Sequence, residues 1–149
     1  MISEVIYCDE ETAMNLAEIE KLIFNTAWDH KVIKEKINNK RFKYWVYKEE
    51  EKIKGYLGIQ FLEEEVEILG IGVNPEFRRK KIANDLMEHF IKYFETSKYK
   101  KIILEVRESN KIAKDLYSKF GFEYNSKRKK YYVDEDADVL VREKIYVSK

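Results

Sequence analysis

Between Val73 and Ile82 the hydrophobic period of the chain changes from two to 3.6, and this change limits the possible folds more than any other feature of the sequence. Upstream, RFKYWVYKEEEKIKGYLGIQFLEEEVEILGIGV (41–73) holds three β-rich runs separated by charged turns at Glu49 to Glu51 and Glu63 to Glu65. That is the pattern of an antiparallel meander. Downstream, Ile82, Ala83, Leu86, Met87, Phe90, Ile91 and Phe94 form one apolar stripe at helical spacing.

The flanking segments fill out the order of elements. SEVIYC (3–8) reads as a first strand. ETAMNLAEIEKLIFN (11–25) carries Ala13, Leu16, Ala17, Glu20, Ile23 and Phe24 at helical spacing, with Thr12 as its cap, and a weaker helix follows Trp28. KKIILEVRE (100–108) is a strand. SNKIAKDLYSKF (109–120) is an amphipathic helix with Ile112, Ala113, Leu116, Tyr117 and Phe120 on its stripe, stopped by Gly121. FEYNSKRKKYYVDEDADVLVREKIYV (122–147) reads as two strands joined by a long charged loop. The order β, α, α, β, β, β, α, β, α, β, β predicts an α/β (α+β) fold, α/β in its middle and antiparallel at its edges.

The 149 residues, 44% of them apolar, suit a single domain over 1–149. The 29 Lys and Arg nearly cancel the 28 Asp and Glu. No global field therefore recruits nucleic acid or an anionic membrane, and electrostatic recognition must be local. Cys8, His30 and His89 are scattered without paired spacing, so no metal site is expected. One cysteine, no signal segment and no long apolar run predict a cytoplasmic protein.

VNPEFRRKKIANDLM (73–87) places the single proline and four consecutive cations, Arg78, Arg79, Lys80 and Lys81, at the entrance of the clearest helix. A helix N-terminus offers N–H groups without intrahelical partners and about half a positive charge, so this turn suits a phosphate. A solvated turn, a nucleic-acid patch and a localisation signal are the competing readings. The charge run is shorter than the last two require.

VNPEFRRKKIA (73–83) resembles the acetyl-CoA signature of the GNAT superfamily of N-acetyltransferases, Q/R-x-x-G-x-G/A after a strand ending in V-x-P. LEVRESNKIAKDLYSKFGF (104–122) is similar to the second half of that signature in the bacterial ribosomal-protein alanine N-acetyltransferases, the RimI type. The resemblance extends to EIEKLIFNTAW (18–28) and KRKKYY (127–132). It implies a GNAT fold: a mixed, mostly antiparallel sheet of about seven strands, splayed between the fourth and fifth and flanked by about four helices. It also implies acetyl-CoA as co-substrate, an amine acceptor, and a monomer or weak dimer.

The same resemblance assigns roles. Backbone groups at Ile71 and Val73 would hold the pantetheine arm and polarise the thioester carbonyl, and an N–H so placed is typically worth about 3 kcal/mol. Arg78, Arg79, Lys80, Lys81, Ile82 and Ala83 would cradle the diphosphate. Gly70 and Gly72 suit a bulge or a close backbone approach. Glu105 matches the family base, needed because an α-amino group of pKa about 8 is mostly protonated at neutral pH. A salt bridge to Arg107 or a neighbouring lysine is the competing reading of that carboxylate. Tyr117 matches the proton donor to the leaving thiolate, although its place on the helix stripe equally suits a core tyrosine. Asn110 would contact the cofactor, cap the helix, or do both.

The sequence departs from the family pattern at one point. The first loop glycine is replaced by Lys81, at a cost of about 1 to 2 kcal/mol if the position needs positive φ. The Lys81 ammonium would partly compensate by pairing with phosphate. On the acceptor side, Trp28, Tyr131 and Tyr132 are candidate walls of a peptide-end groove. The acidic run Asp134, Glu135, Asp136 and Asp138 reads either as an attractor for a basic protein end or as a solvated hairpin tip. A protein N-terminus is the expected acceptor. A polyamine or aminoglycoside, and a non-catalytic acyl-CoA sensor, are the alternatives.

Overall fold

The computed structural model describes residues 1–23, 29–129, 131 and 135–144. Its elements are β1 (Ile2–Glu4), α1 (Glu10–Ile23), α2 (His30–Ile37), β2 (Phe42–Glu49), β3 (Lys52–Phe61), β4 (Glu65–Val73), a 3-10 turn (Pro75–Lys80), α3 (Ile82–Thr96), β5 (Lys101–Arg107), α4 (Lys111–Lys119), β6 (Glu123–Arg128) and β7 (Ala137–Glu143). Element order follows the sequence reading, with the 3-10 turn added. Two details differ. The first strand covers 2–4 rather than 3–8, and α1 is capped by Asp9, whose Oδ1 accepts from Thr12 N at 2.8 Å; Thr12 itself is not the cap.

One sheet runs β1-β2-β3-β4-β5-β7-β6. β4 and β5 are parallel and the other neighbours antiparallel. The β2–β3 hairpin closes on Glu50 and Glu51, both at positive φ (51° and 64°), as a two-residue turn matched to strand twist requires. The chain passes from β4 to β5 through α3, which covers one face of the sheet.

Each face has its own core. On the α3 side, Ile82, Leu86, Met87, Phe90 and Phe94 pack against Trp45, Leu57, Ile59, Val66, Ile68, Ile102 and Leu104. α4 adds Tyr117 to this cluster, while Ile112, expected on the buried stripe, is 86% exposed. On the other face, Ala13, Leu16 and Ile19 of α1 and Ile33 and Ile37 of α2 cover Tyr44, Val46, Ile53 and Tyr56. Cys8 lies in this second core, and burial pushes its thiol up to about 11, which makes it a packing residue at neutral pH. Among the described residues, no helix is long and apolar enough to cross a membrane.

Candidate active site

The parallel ladder between β4 and β5 pairs Glu65 to Ile68 with Lys101 to Leu104 and then stops. β4 nevertheless continues along β3 to Val73, and β5 continues along β7 to Arg107. The two strands thus diverge, leaving 69–73 and 105–107 on either side of an opening. Divergence begins at a bulge: Gly58 pairs with Gly70 and Ile59 with Ile68, so Leu69 is the extra residue.

Alternation of backbone direction shows what faces the opening. Asn74 N donates to Lys54 O at 2.8 Å, so Gly72 and Gly70 also turn their N–H and C=O groups toward β3. Ile71 and Val73 turn theirs the other way, into the gap. Glu108 N donates to Asp136 O at 3.1 Å, so Val106 faces β7 while the backbones of Glu105 and Arg107 face the gap from the opposite side. An extended guest carrying amides of its own can therefore hydrogen-bond there as an inserted strand does. The β4 glycines have a further reason. A Cβ on Gly72 would lie 2.5 Å from Tyr56 Cε1, so this glycine makes room for the tyrosine ring as well as for any ligand.

Along β5, Ile102, Leu104 and Val106 are buried on one face, which places Glu105 on the face covered by α1 and α2. Its side chain is 15% exposed and its partner is Arg128, with Nη1 2.8 Å from Oε1. The expected competitor, Arg107, pairs instead with Glu135 at 3.1 Å. Arg128 stacks over the Tyr131 ring at 4.3 Å. Burial, then the Glu105 charge and a hydrogen bond to it, push the Tyr131 phenol up, so this aromatic does reach the base candidate. Trp28 and Tyr132 lie outside the described residues.

Sequence reading assigned no site role to Glu67, which lies near Glu105, or to the Glu20–Tyr56 pair beside the β4 glycines. Glu67 sits between the buried Val66 and Ile68 of β4, just as Glu105 sits between Leu104 and Val106, and this alternation is the signal that marks it. Burial and then the Glu105 charge raise its carboxyl, against Arg128 and Lys36. Glu20 of α1 accepts a hydrogen bond from the Tyr56 hydroxyl, which lies above Gly70 and Gly72. Burial raises the Glu20 carboxyl and holds the Tyr56 phenol well above its ordinary range. The acidic run is largely engaged within the protein. Glu135 accepts from Arg107 and from the Ser109 N–H and hydroxyl, and buried Asp138 pairs with Lys114 at 2.5 Å. Asp138 is thus not part of a solvated tip.

Tyr117 approaches from the α3 and α4 side. It is 6% exposed and packs on Phe122 at 5.6 Å between ring centroids. Tyr117 thus belongs to the core on one face of the sheet, and Glu105 lies on the opposite face. Asn110 caps α4, its Oδ1 accepting from Ala113 N at 3.1 Å.

At the far end of β4 the cations occupy the 3-10 turn, where the side chains of Arg78, Arg79 and Lys80 lie outside the described part. Asn74 caps this turn by accepting from Glu76 N at 3.1 Å. Lys81 joins it to α3 with φ 59° and ψ 21°, the left-handed conformation that glycine adopts without cost. Its side chain is exposed and makes no capping hydrogen bond, so the first amides of α3, Ile82 and Ala83 among them, keep no helical acceptor.

The sequence over residues 13–122 matches the acetyltransferase (GNAT) family. A ribosomal protein bS18-alanine N-acetyltransferase of Haemophilus ducreyi is 30% identical over 125 residues, 83% of this chain and 84% of the relative. In fold, the crystal structure of the ribosomal-protein-S18-alanine N-acetyltransferase from Escherichia coli superposes with a TM-score of 0.85 at 24% identity, covering 100% of this chain and 97% of that one. A GNAT family acetyltransferase of Elizabethkingia anophelis with acetyl-CoA bound superposes with a TM-score of 0.68 at 22% identity, over 77% of this chain and 83% of that one. By the family match over most of its length and by the Haemophilus ducreyi relative, the chain belongs to the acetyltransferase (GNAT) family and is an acetyl-CoA-dependent N-acetyltransferase.

Proposed function

We propose that the chain transfers the acetyl group of acetyl-CoA to the N-terminal α-amino group of a protein, of the alanine-starting ribosomal type named for its relatives. The observation that carries this reading is the opening itself, with the backbones of Ile71 and Val73 on one wall and Glu105 on the other. The pantetheine arm fits between the walls, and an amide of β4 faces the carbonyl oxygen on which charge develops. The amides of Ile82 and Ala83, with Arg78, Arg79, Lys80 and Lys81 beside them, suit the diphosphate. Asn110 caps α4, and in this reading it also contacts the cofactor.

The acceptor nitrogen must lose its proton to attack, and Glu105 takes it. When the carbon–sulfur bond breaks, Tyr117 supplies a proton to the departing sulfur. Trp28 and Tyr131 line the acceptor side in this reading. Incubation with acetyl-CoA and a panel of alanine-starting peptides, polyamines and aminoglycosides tests it by mass spectrometry. The expected product is one acetyl group on the first residue of the peptide. Acetylation confined to the small amines contradicts the proposal, and cofactor binding without release of thiol favours a sensor.

Lys81 gives a second test. Its left-handed backbone costs a side-chain residue about 1 to 2 kcal/mol, so Lys81→Gly is expected to raise Tm by about 2 to 4 °C after the loss to chain entropy. Lys81→Glu is expected to weaken acetyl-CoA binding about tenfold in calorimetry, by opposing rather than pairing the diphosphate. Equal affinities for the glycine and glutamate variants would place the ammonium in solvent.

A further inference from the structure

The carboxylate assigned as base already holds a cation. Arg128 Nη1 lies 2.8 Å from Glu105 Oε1, and the guanidinium rests on the Tyr131 ring at 4.3 Å. Glu67, on the same face of the neighbouring strand, feels both Glu105 and Arg128. A guanidinium presents to a carboxylate the positive charge and N–H donors that an acceptor ammonium would present, so the two compete for the same oxygen. Geometry also leaves the guanidinium a way out. The Arg128 side chain is 58% exposed, and every residue of β6 is exposed.

We propose that Arg128 occupies the place on Glu105 that the acceptor's ammonium takes during turnover, and that it is a specificity-determining residue displaced by peptide ends but not by small free amines. This rests on the reading of the protein as an N-terminal acetyltransferase. A small amine brings little beyond its own charge, so entering the site exchanges one cation for another at a partly exposed carboxylate, with small net gain. The tethered guanidinium moreover competes at the high effective concentration of an attached group. A peptide end adds backbone and side-chain contacts to its ammonium, and these carry the exchange. With Arg128 lifted, Glu67 and Glu105 are left as neighbouring like charges, which draws the ammonium in.

The test compares kcat/KM for an alanine-starting octapeptide and for alaninamide in the wild type, Arg128→Gln and Arg128→Lys. In Arg128→Gln the alaninamide value is expected to rise about tenfold while the peptide value changes less than about threefold, narrowing the preference. Arg128→Lys keeps a tethered cation and is expected to keep most of the preference. Arg128→Met, which cannot hydrogen-bond Glu105, must shift it in the same direction as Arg128→Gln. Equal changes for the two acceptors, or a fall for both in a variant whose melting curve matches wild type, would overturn the proposal and mark Arg128 as a fixed support of the base. A wild type that acetylates no peptide would remove the N-terminal reading and this inference together. Peptide turnover with an unaltered preference would remove this inference alone.

Discussion

Glu105→Gln is expected to lower kcat by on the order of a hundredfold or more while leaving the KM for acetyl-CoA within about twofold. The physical reason is the protonation state of the acceptor. An α-amino group with a pKa of about 8 carries its proton most of the time at neutral pH, and the protonated form has no lone pair to attack with. Glu105 is the carboxylate whose backbone borders the slot, and its side chain is held on the α1 and α2 face by Arg128. Glutamine keeps the size and the hydrogen bond to the guanidinium but accepts no proton. Loss of a partly exposed pair costs about 1 kcal/mol or less, so the variant should fold. Stopped-flow measurement of thiol release separates the chemical step from cofactor binding. An unchanged kcat would leave Glu105 as the structural partner of Arg128 and nothing more.

Tyr117→Phe is expected to reduce kcat by about tenfold to a hundredfold, with the larger effect on poorer leaving groups, because the residue acts when sulfur departs. The substitution keeps the ring, which packs on Phe122 within the α3-side core, so a packing role alone predicts an intact kcat. Melting temperature and kcat therefore answer different questions here. A lowered kcat at an unchanged Tm assigns the hydroxyl to catalysis, and the reverse pattern assigns it to the core.

What could be read in advance was whatever depends on local spacing. The α3 stripe from Ile82 to Phe94, the three runs of the meander and the alternation that puts Glu105 opposite Leu104 and Val106 all follow from periods of 3.6 or two. Failures lie where a distant segment decides. Arg128 reaches Glu105 because β6 and β5 both flank β7, so Lys127 and Val106 share Asp138 as a partner, a register that no local pattern encodes. Ile112 has the right spacing for the α4 stripe, yet it lies at the exposed first turn. Gly72 looked like a ligand approach from sequence, and Tyr56, sixteen positions earlier, was invisible as the ring that also needs the space. Lys81 was legible as a departure from the family glycine, and its positive φ explains why a glycine stands there in relatives that follow the pattern.

A crystal structure of the protein with acetyl-CoA tests the central claim most directly. The account predicts the pantetheine arm between 70–73 and 105–107, with its amides bonded to the backbones of Ile71 and Val73 and its diphosphate at the first turn of α3. Density for the ligand on another face of the sheet, or β4 and β5 closed into a continuous ladder beyond Ile68 and Leu104, would contradict it.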